Sequence, residues 1–420
     1  MAQPAADPTA TARKALDLLL AHKYSELIPL FSDASKAANT EASLAAKVPE
    51  SWGAVQSVGA ATARALGASS VVSIPVKFAN QDVTFQISMN EKGQLGLIIP
   101  SADPWKHPAY SKPESFKERE VSIGTEFKLA GTLTVPAGAG PFPGVVLVHD
   151  SGPGDRDEAI GAVKVFKDLA EGLASRGVVV LRYEKRTRAY PAVPQKREFT
   201  AETETIDDAV LAAGVLRAQP EVKQGRVFAM GLGFGGYLLP RVAEADGKLA
   251  GMAIVNANAR PLEDLALEEG QSLAETLAKT LPAVTPQVLE AFKRQLAVIQ
   301  EQAAKIKKLT PADEDTVALL GKLGPYWLDL KGYDPAGQSK LLAISMLILE
   351  GERDFQVTMK DFAVWKTGLQ GMKNVTTKSY PALDHVLVAG TGKSTEADYR
   401  KPGQHVAQDV VDDLAKWFNQ

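Results

Sequence analysis

The stretch FAMGLGFGGYLLP, residues 228–240, spells Gly-x-Gly-x-x-Gly through Gly231, Gly233 and Gly236. Read that way it is a dinucleotide-binding loop, in which the glycines open a strand–helix turn and a pyrophosphate sits on the helix N-terminus. The same letters also fit Gly-x-Ser-x-Gly, the turn that presents a nucleophilic serine, with Gly233 standing where the serine belongs. One reading implies an oxidoreductase, the other a serine hydrolase scaffold without its nucleophile.

The residues that follow decide between them. A dinucleotide site needs an acidic side chain at the end of the next strand to hold the ribose hydroxyls, and that strand ends IVNANAR, placing Asn256 and Asn258 there. A hydrolase needs its acid and base later in the chain, in the order nucleophile, Asp/Glu, His. LAISMLILEGERDFQV presents Asp354 just beyond a strand, with Asp361 and Asp384 as rivals, and YPALDHVLVAG presents His385 in the loop after another. Upstream, GVVLVHDSGPGDRDE supplies a glycine-rich loop suited to an oxyanion-binding amide. The hydrolase reading therefore accounts for four elements in the required order, and the dinucleotide reading stays a remote alternative.

The rest of the chain has a matching organisation. Residues 1–100 begin with Ala- and Leu-rich helical periodicity and continue as alternating strands (SVVSIPVKF, DVTFQISMN, GQLGLIIP), a small α+β module. Residues 101–115 hold three prolines and read as a linker. From 116 to 258, strands and helices alternate, including an apparent single helix over 203–218, which predicts a mostly parallel sheet covered by helices. Residues 259–340 interrupt the alternation with amphipathic helical sequence, read as a cap, and 341–420 restore it.

Composition narrows the function classes. The 420 residues carry 47 Lys+Arg against 50 Asp+Glu, a net charge of −3, so no basic field exists to gather nucleic acid. No apolar run approaches the ~18 residues that span a bilayer. There is no cysteine, which excludes thiolate catalysis, disulfides and cysteine metal sites. The opening AQPA is similar to the new end left by signal-peptide cleavage, so export to the periplasm or medium is expected.

With these residues in view, the chain resembles the α/β-hydrolases, and within them a group of bacterial esterases carrying a small N-terminal domain of uncharacterised function. That group shows HGSGP-DRDE, LRYDKRT, GHSLGG, GERDYQV and NH motifs. This chain has HDSGPGDRDE, LRYEKRT, GLGFGG, GERDFQVT and LDH in the same order across residues 115–420. The resemblance implies an α/β-hydrolase fold and carboxylic-ester hydrolysis of small molecules, with no cofactor or metal. It assigns Asp354 as triad acid, His385 as base and Gly233 to the nucleophile position. The oxyanion hole falls to the Phe234 amide plus that of Ser151 or Asp150. A glycine cannot attack a carbonyl, so the chain as written is expected to be inactive by the usual route. A serine-to-glycine change engineered to hold a ligand uncleaved explains Gly233. The alternatives are a natural pseudoenzyme that binds an ester, amide or peptide, and a peptidase or amidase. Asp150 is a second departure, standing where the group has glycine.

Other residues have both a functional and a structural reading. His149 and Arg156 in the glycine-rich loop, and Tyr326 and Trp327 in GPYWLDL, are candidate substrate contacts. Each also has a structural role open to it: His149 as a support for the loop, Arg156 in an ion pair, and the two aromatics in a core.

Overall fold

A computed structural model describes residues 7–66, 69–79, 82–102, 105–279, 286–313 and 318–420. The chain divides into two compact units, Met1–Lys106 with Arg400–Gly403, and His107–Tyr399 with Gln404–Gln420.

In the smaller unit the helix Pro8–Leu20 starts where Asp7 accepts a hydrogen bond from the Thr9 amide and Pro8 takes the first helical position. Its Ala12, Ala15, Leu16 and Leu19 recur at helical spacing and are all buried. They pack on an antiparallel sheet of β1 (Val55–Val58), β2 (Thr62–Leu66), β3 (Ser69–Phe78), β4 (Asp82–Met89) and β5 (Leu95–Ala102). The two-residue period of β3 turns Val72, Ile74, Val76 and Phe78 to that core.

The larger unit is built on an eight-stranded sheet. Its strands are β6 (Phe116–Ile123), β7 (Leu129–Pro136), β8 (Phe142–Val148), β11 (Val179–Tyr183), β12 (Val222–Leu232), β13 (Gly251–Val255), β14 (Ser345–Gly351) and β15 (Val375–Tyr380). They lie in the order β15-β14-β13-β12-β8-β11-β7-β6. β6 and β7 pair antiparallel, β7 meets β11 antiparallel, and the other six strands run parallel. A two-strand ribbon of β9 (Ala159–Ile160) and β10 (Val163–Lys164) lies outside it.

The unbroken apolar run of β8 follows from burial on both faces. Val146 and Val148 point into one core with the helices Asp207–Arg217, Phe234–Asp246 and Met359–Gly368; Val145 and Leu147 point into the other with Val165–Ala174 and Gln408–Asn419. Each such side chain contributes about 1.5–3 kcal/mol of burial, so the central strands are held rigidly.

One expected feature differs in detail. The sequence expected as one helix over 203–218 opens with a π-turn, Glu202–Ile206, before the α-helix Asp207–Arg217. That wide turn sits where Glu204 is buried against Lys185 and Lys322. The interruption between β13 and β14 contains the helices Leu262–Lys279, Pro286–Lys308, Gly324–Leu330 and Pro335–Ser339, with a small core of their own around Ile306, Leu309, Leu319 and Trp327.

Register brings the chemistry to one end of the sheet. Gly231 pairs with Val148 and with Ile254, and Val255 pairs with Leu349. The segments just past β8, β12, β13, β14 and β15 therefore emerge together at the strands' carboxyl ends, where ligands of open α/β sheets bind.

Candidate active site

Gly233 follows β12 directly, with φ 52° and ψ −119°, and the helix Phe234–Asp246 begins at the next residue. That is the sharp strand-to-helix turn of a nucleophile elbow. The turn is tight: a Cβ on Gly235 would lie 2.4 Å from the Val148 carbonyl oxygen. The glycines of 231–236 thus meet a packing requirement between β8, β12 and the helix.

His385 lies in the loop after β15 and is buried. Its Nδ1 is 2.6 Å from Asp354 Oδ2, and Asp354 Oδ1 accepts the amides of Gln356 and Val357 at 2.8 and 3.0 Å. Asp354 is thereby both loop organiser and histidine partner. The rival carboxylates are committed elsewhere: Asp361 to Arg260 and the Ala259 amide, Asp384 to the Val386 and Val388 amides.

Asp150 is the unexpected member. Its Oδ1 accepts the Phe234 amide at 2.7 Å and its Oδ2 lies 3.0 Å from His385 Nε2. The carboxylate therefore points into the space a serine hydroxyl and its oxyanion would fill, rather than away from it. The amides assigned to the oxyanion hole, Phe234 and Ser151, both act on this carboxylate; burial would raise it, but these bonds and His385 hold it below the ordinary range. The helix N-terminus that the fingerprint would offer to a phosphate thus holds the chain's own anion. Burial alone would lower the His385 pKa, yet the Asp354 and Asp150 carboxylates raise it well above its usual value. The imidazolium then donates from both nitrogens, one to each aspartate.

The loop that carries Asp150 is clamped on both sides. The Asp150 amide donates to Glu158 Oε1 at 3.2 Å, and Lys185 Nζ donates to the Asp150 carbonyl at 2.6 Å. Burial, with the Asp150 charge beside it, pushes the Glu158 carboxyl up to about 8. His149 lies beneath the loop, with Nε2 3.1 Å from the Asp155 carbonyl oxygen, and burial lowers it to about 3, so it stays neutral.

The remaining candidate contacts are engaged elsewhere. Arg156 pairs with Glu120 and Glu184. Tyr326 donates to Glu204 Oε2 at 2.7 Å and Trp327 Nε1 donates to the Leu319 carbonyl at 2.7 Å, both side chains being buried. Of the two readings open to these aromatics, burial and hydrogen bonding favour the structural one.

Sequence reasoning missed several participants. Asn256, weighed only as a missing acid, is buried with φ 45° and ties the segment after β13 to the end of β14 and to the loop that carries His385. Its Nδ2 donates to the Asp384 and His385 carbonyls at 3.0 and 2.8 Å, and its Oδ1 accepts the Gly351 amide at 2.8 Å. Glu269, on the helix Leu262–Lys279, is pushed up to about 7 by burial, with His385 opposing and Asp150 and Asp354 adding to the shift. Lys185 lies in the LRYEKRT motif and is buried, although nothing in that basic stretch singles it out from its charged neighbours. A buried lysine next to a glycine-rich loop leaves no periodic signal in a sequence.

No protein-family model matches the chain. It is 37% identical over 351 residues to esterase EstD of Thermotoga maritima, a match covering 83% of this chain and 79% of that protein. Among solved structures, it is similar to the esterase domain of a Rhodothermus marinus protein, at 17% identity and a TM-score of 0.41 over 72% of this chain and 97% of that one. It is also similar to the acylaminoacyl peptidase of Pyrococcus horikoshii, at 10% identity and a TM-score of 0.46 over 86% of this chain and 56% of that one. The extent and identity of the match to EstD, together with the sheet order and the elbow, show that the chain belongs to the esterases of the α/β-hydrolase superfamily.

Proposed function

We propose that this chain is a carboxylesterase-type serine hydrolase scaffold that does not run the acyl-serine reaction. The observation carrying the reading is the seat of Asp150: its carboxylate lies between the Phe234 amide and His385 Nε2, where a serine nucleophile and its oxyanion would be. Gly233 offers no attacking atom, and a His385 imidazolium held by two carboxylates has no free lone pair with which to take a proton. EstD carries the name esterase, which supports small-molecule esters as the ancestral substrates. The same triad geometry serves amides and peptides.

The origin of Gly233 also comes under this reading. An isolated serine-to-glycine change, made to trap a ligand, leaves Asp150 unexplained. A matched pair, glycine at the elbow and aspartate in the loop, explains both departures and favours a natural replacement. The test is hydrolysis of p-nitrophenyl acetate and butyrate by the unaltered chain. The expected rate is that of buffer, and turnover that disappears in His385→Ala would overturn the proposal.

A further inference from the structure

We propose that Asp150 is itself the nucleophile of this site, acting on an sp3 carbon that bears a leaving group, an alkyl halide or an epoxide, through an aspartyl ester that water then opens. The inference rests on the reading that the serine route is closed. The Phe234 N–H is 2.7 Å from Asp150 Oδ1, so the tetrahedral centre it is placed to stabilise is Cγ of Asp150. His385 Nε2 stands on the other carboxylate oxygen at 3.0 Å, beside the same carbon, with Asp354 behind it. An amide on one oxygen and a histidine on the other form the apparatus for hydrolysing an ester of Asp150.

Access and rigidity agree with that role. The Asp150 side chain keeps 14% of its surface exposed, against 1% for His385 and 0% for Asp354, so it is the member a substrate can reach. Its backbone is held by Glu158 and Lys185, and Gly233 leaves the room its carboxylate needs. The carbon attacked follows from the chemistry of a carboxylate nucleophile. Attack on an acyl carbon gives an anhydride, higher in energy than the ester consumed, whereas attack on an alkyl carbon gives an ordinary ester.

Asp150 Oδ2 forms a bond to the substrate carbon as the carbon–halogen bond breaks, and halide leaves with the electron pair; with an epoxide the ring oxygen leaves as alkoxide and is protonated by solvent. Esterification removes one of the two charges that hold the His385 proton, so that proton passes to solvent and the imidazole becomes a base. It then takes a proton from water, and hydroxide adds to Cγ while Oδ1 carries the negative charge beneath the Phe234 amide. The Cγ–Oδ2 bond breaks, and the departing alkoxide takes the proton from His385. The proton left on the regenerated Asp150 carboxyl returns to His385, so an alkyl halide and water give an alcohol, a proton and halide, and the alcohol carries the original Oδ2 of Asp150.

The experiment uses the full chain with 1-bromohexane and with styrene oxide. In His385→Gln the ester should accumulate to one equivalent, seen by intact mass and mapped to the peptide containing Asp150, at least tenfold above Asp150→Asn. The absence of cysteine removes the usual background of alkylation. A second measurement needs no variant: one turnover of the unaltered chain in 18O-water should place the label in the Asp150 carboxylate and not in the alcohol. Success with one probe alone identifies the leaving group. An adduct that persists in Asp150→Asn, or no adduct and no label with either probe, overturns the proposal. A His385-dependent esterase activity would instead overturn the reading on which it rests.

Discussion

Asp150 and Gly233 compete for one volume: a Cβ on Gly233 would stand 2.1 Å from Asp150 Oδ1 and 2.4 Å from its Cγ. Two departures from the esterase pattern, far apart in the chain, are therefore one feature in space. The Asp150 carboxylate keeps its seat only because residue 233 has no Cβ.

That relationship predicts the stability of Gly233→Ser. A non-glycine residue at φ 52° costs about 1–3 kcal/mol, and the stiffer unfolded chain returns about 0.4–1 kcal/mol. Displacing the Asp150 carboxylate adds to the cost. Reversible urea denaturation, read on the transition of the larger unit, should show a loss of at least about 1 kcal/mol. Equal stability would mean that the turn carries no strain and that Asp150 moves freely.

The same contact predicts how serine catalysis is rebuilt. Gly233→Ser alone places the hydroxyl in an occupied seat, whereas Asp150→Gly with Gly233→Ser clears the seat and frees His385 from its second carboxylate. The double variant should hydrolyse p-nitrophenyl butyrate at least about 100-fold faster than either single one, within the contribution of a positioned base. His385→Ala should abolish the gain. Equal rates for the single serine variant and the double would show that Asp150 does not block the position.

Asn256 is expected to act as a positioning residue. Alanine there removes three buried hydrogen bonds to Asp384, His385 and Gly351 and places a less tolerant residue at φ 45°. Stranded buried groups cost about 1–3 kcal/mol each, so Asn256→Ala should lose at least about 2 kcal/mol. In the serine-restored background it should also lower kcat more than it raises KM. A stability change within about 0.5 kcal/mol, the range of an ordinary surface substitution, would refute the assignment.

Glu158 makes a pH prediction. Its folded pKa of about 8 lies above the ordinary 4.5, so the native state keeps a proton that the unfolded chain releases, and stability falls as pH rises across that interval. Glu158→Gln cannot ionise and should flatten the decline, by at most about 5 kcal/mol over the window at 1.36 kcal/mol per unit. His149 works on the acid side: lowered to about 3, it costs stability as pH falls from 6.5 towards 3. Denaturant titrations at pH 5, 6.5 and 8 measure the first effect. Parallel losses in the two proteins would assign the decline to other groups.

Much of this protein was legible in one dimension. The unbroken apolar run of β8 and the regular return of strands and helices dictate a sheet covered on both faces, because backbone pairing and two-sided burial are repeated locally along the chain. Asp354 and His385 were readable because strand ends in such a sheet converge at one edge, whatever the details of packing. Two things only the tertiary structure decided: the direction of the Asp150 side chain and the use of Asn256. Both are set by contacts with residues remote in the chain. Asp150 is aimed by Phe234, Lys185 and His385, and Asn256 is satisfied by the carbonyls of Asp384 and His385. A side chain's rotamer answers to the electrostatics and free volume around it, and neither is encoded by spacing. The glycine at 233 announced a missing group; only the folded chain shows the carboxylate that fills its place.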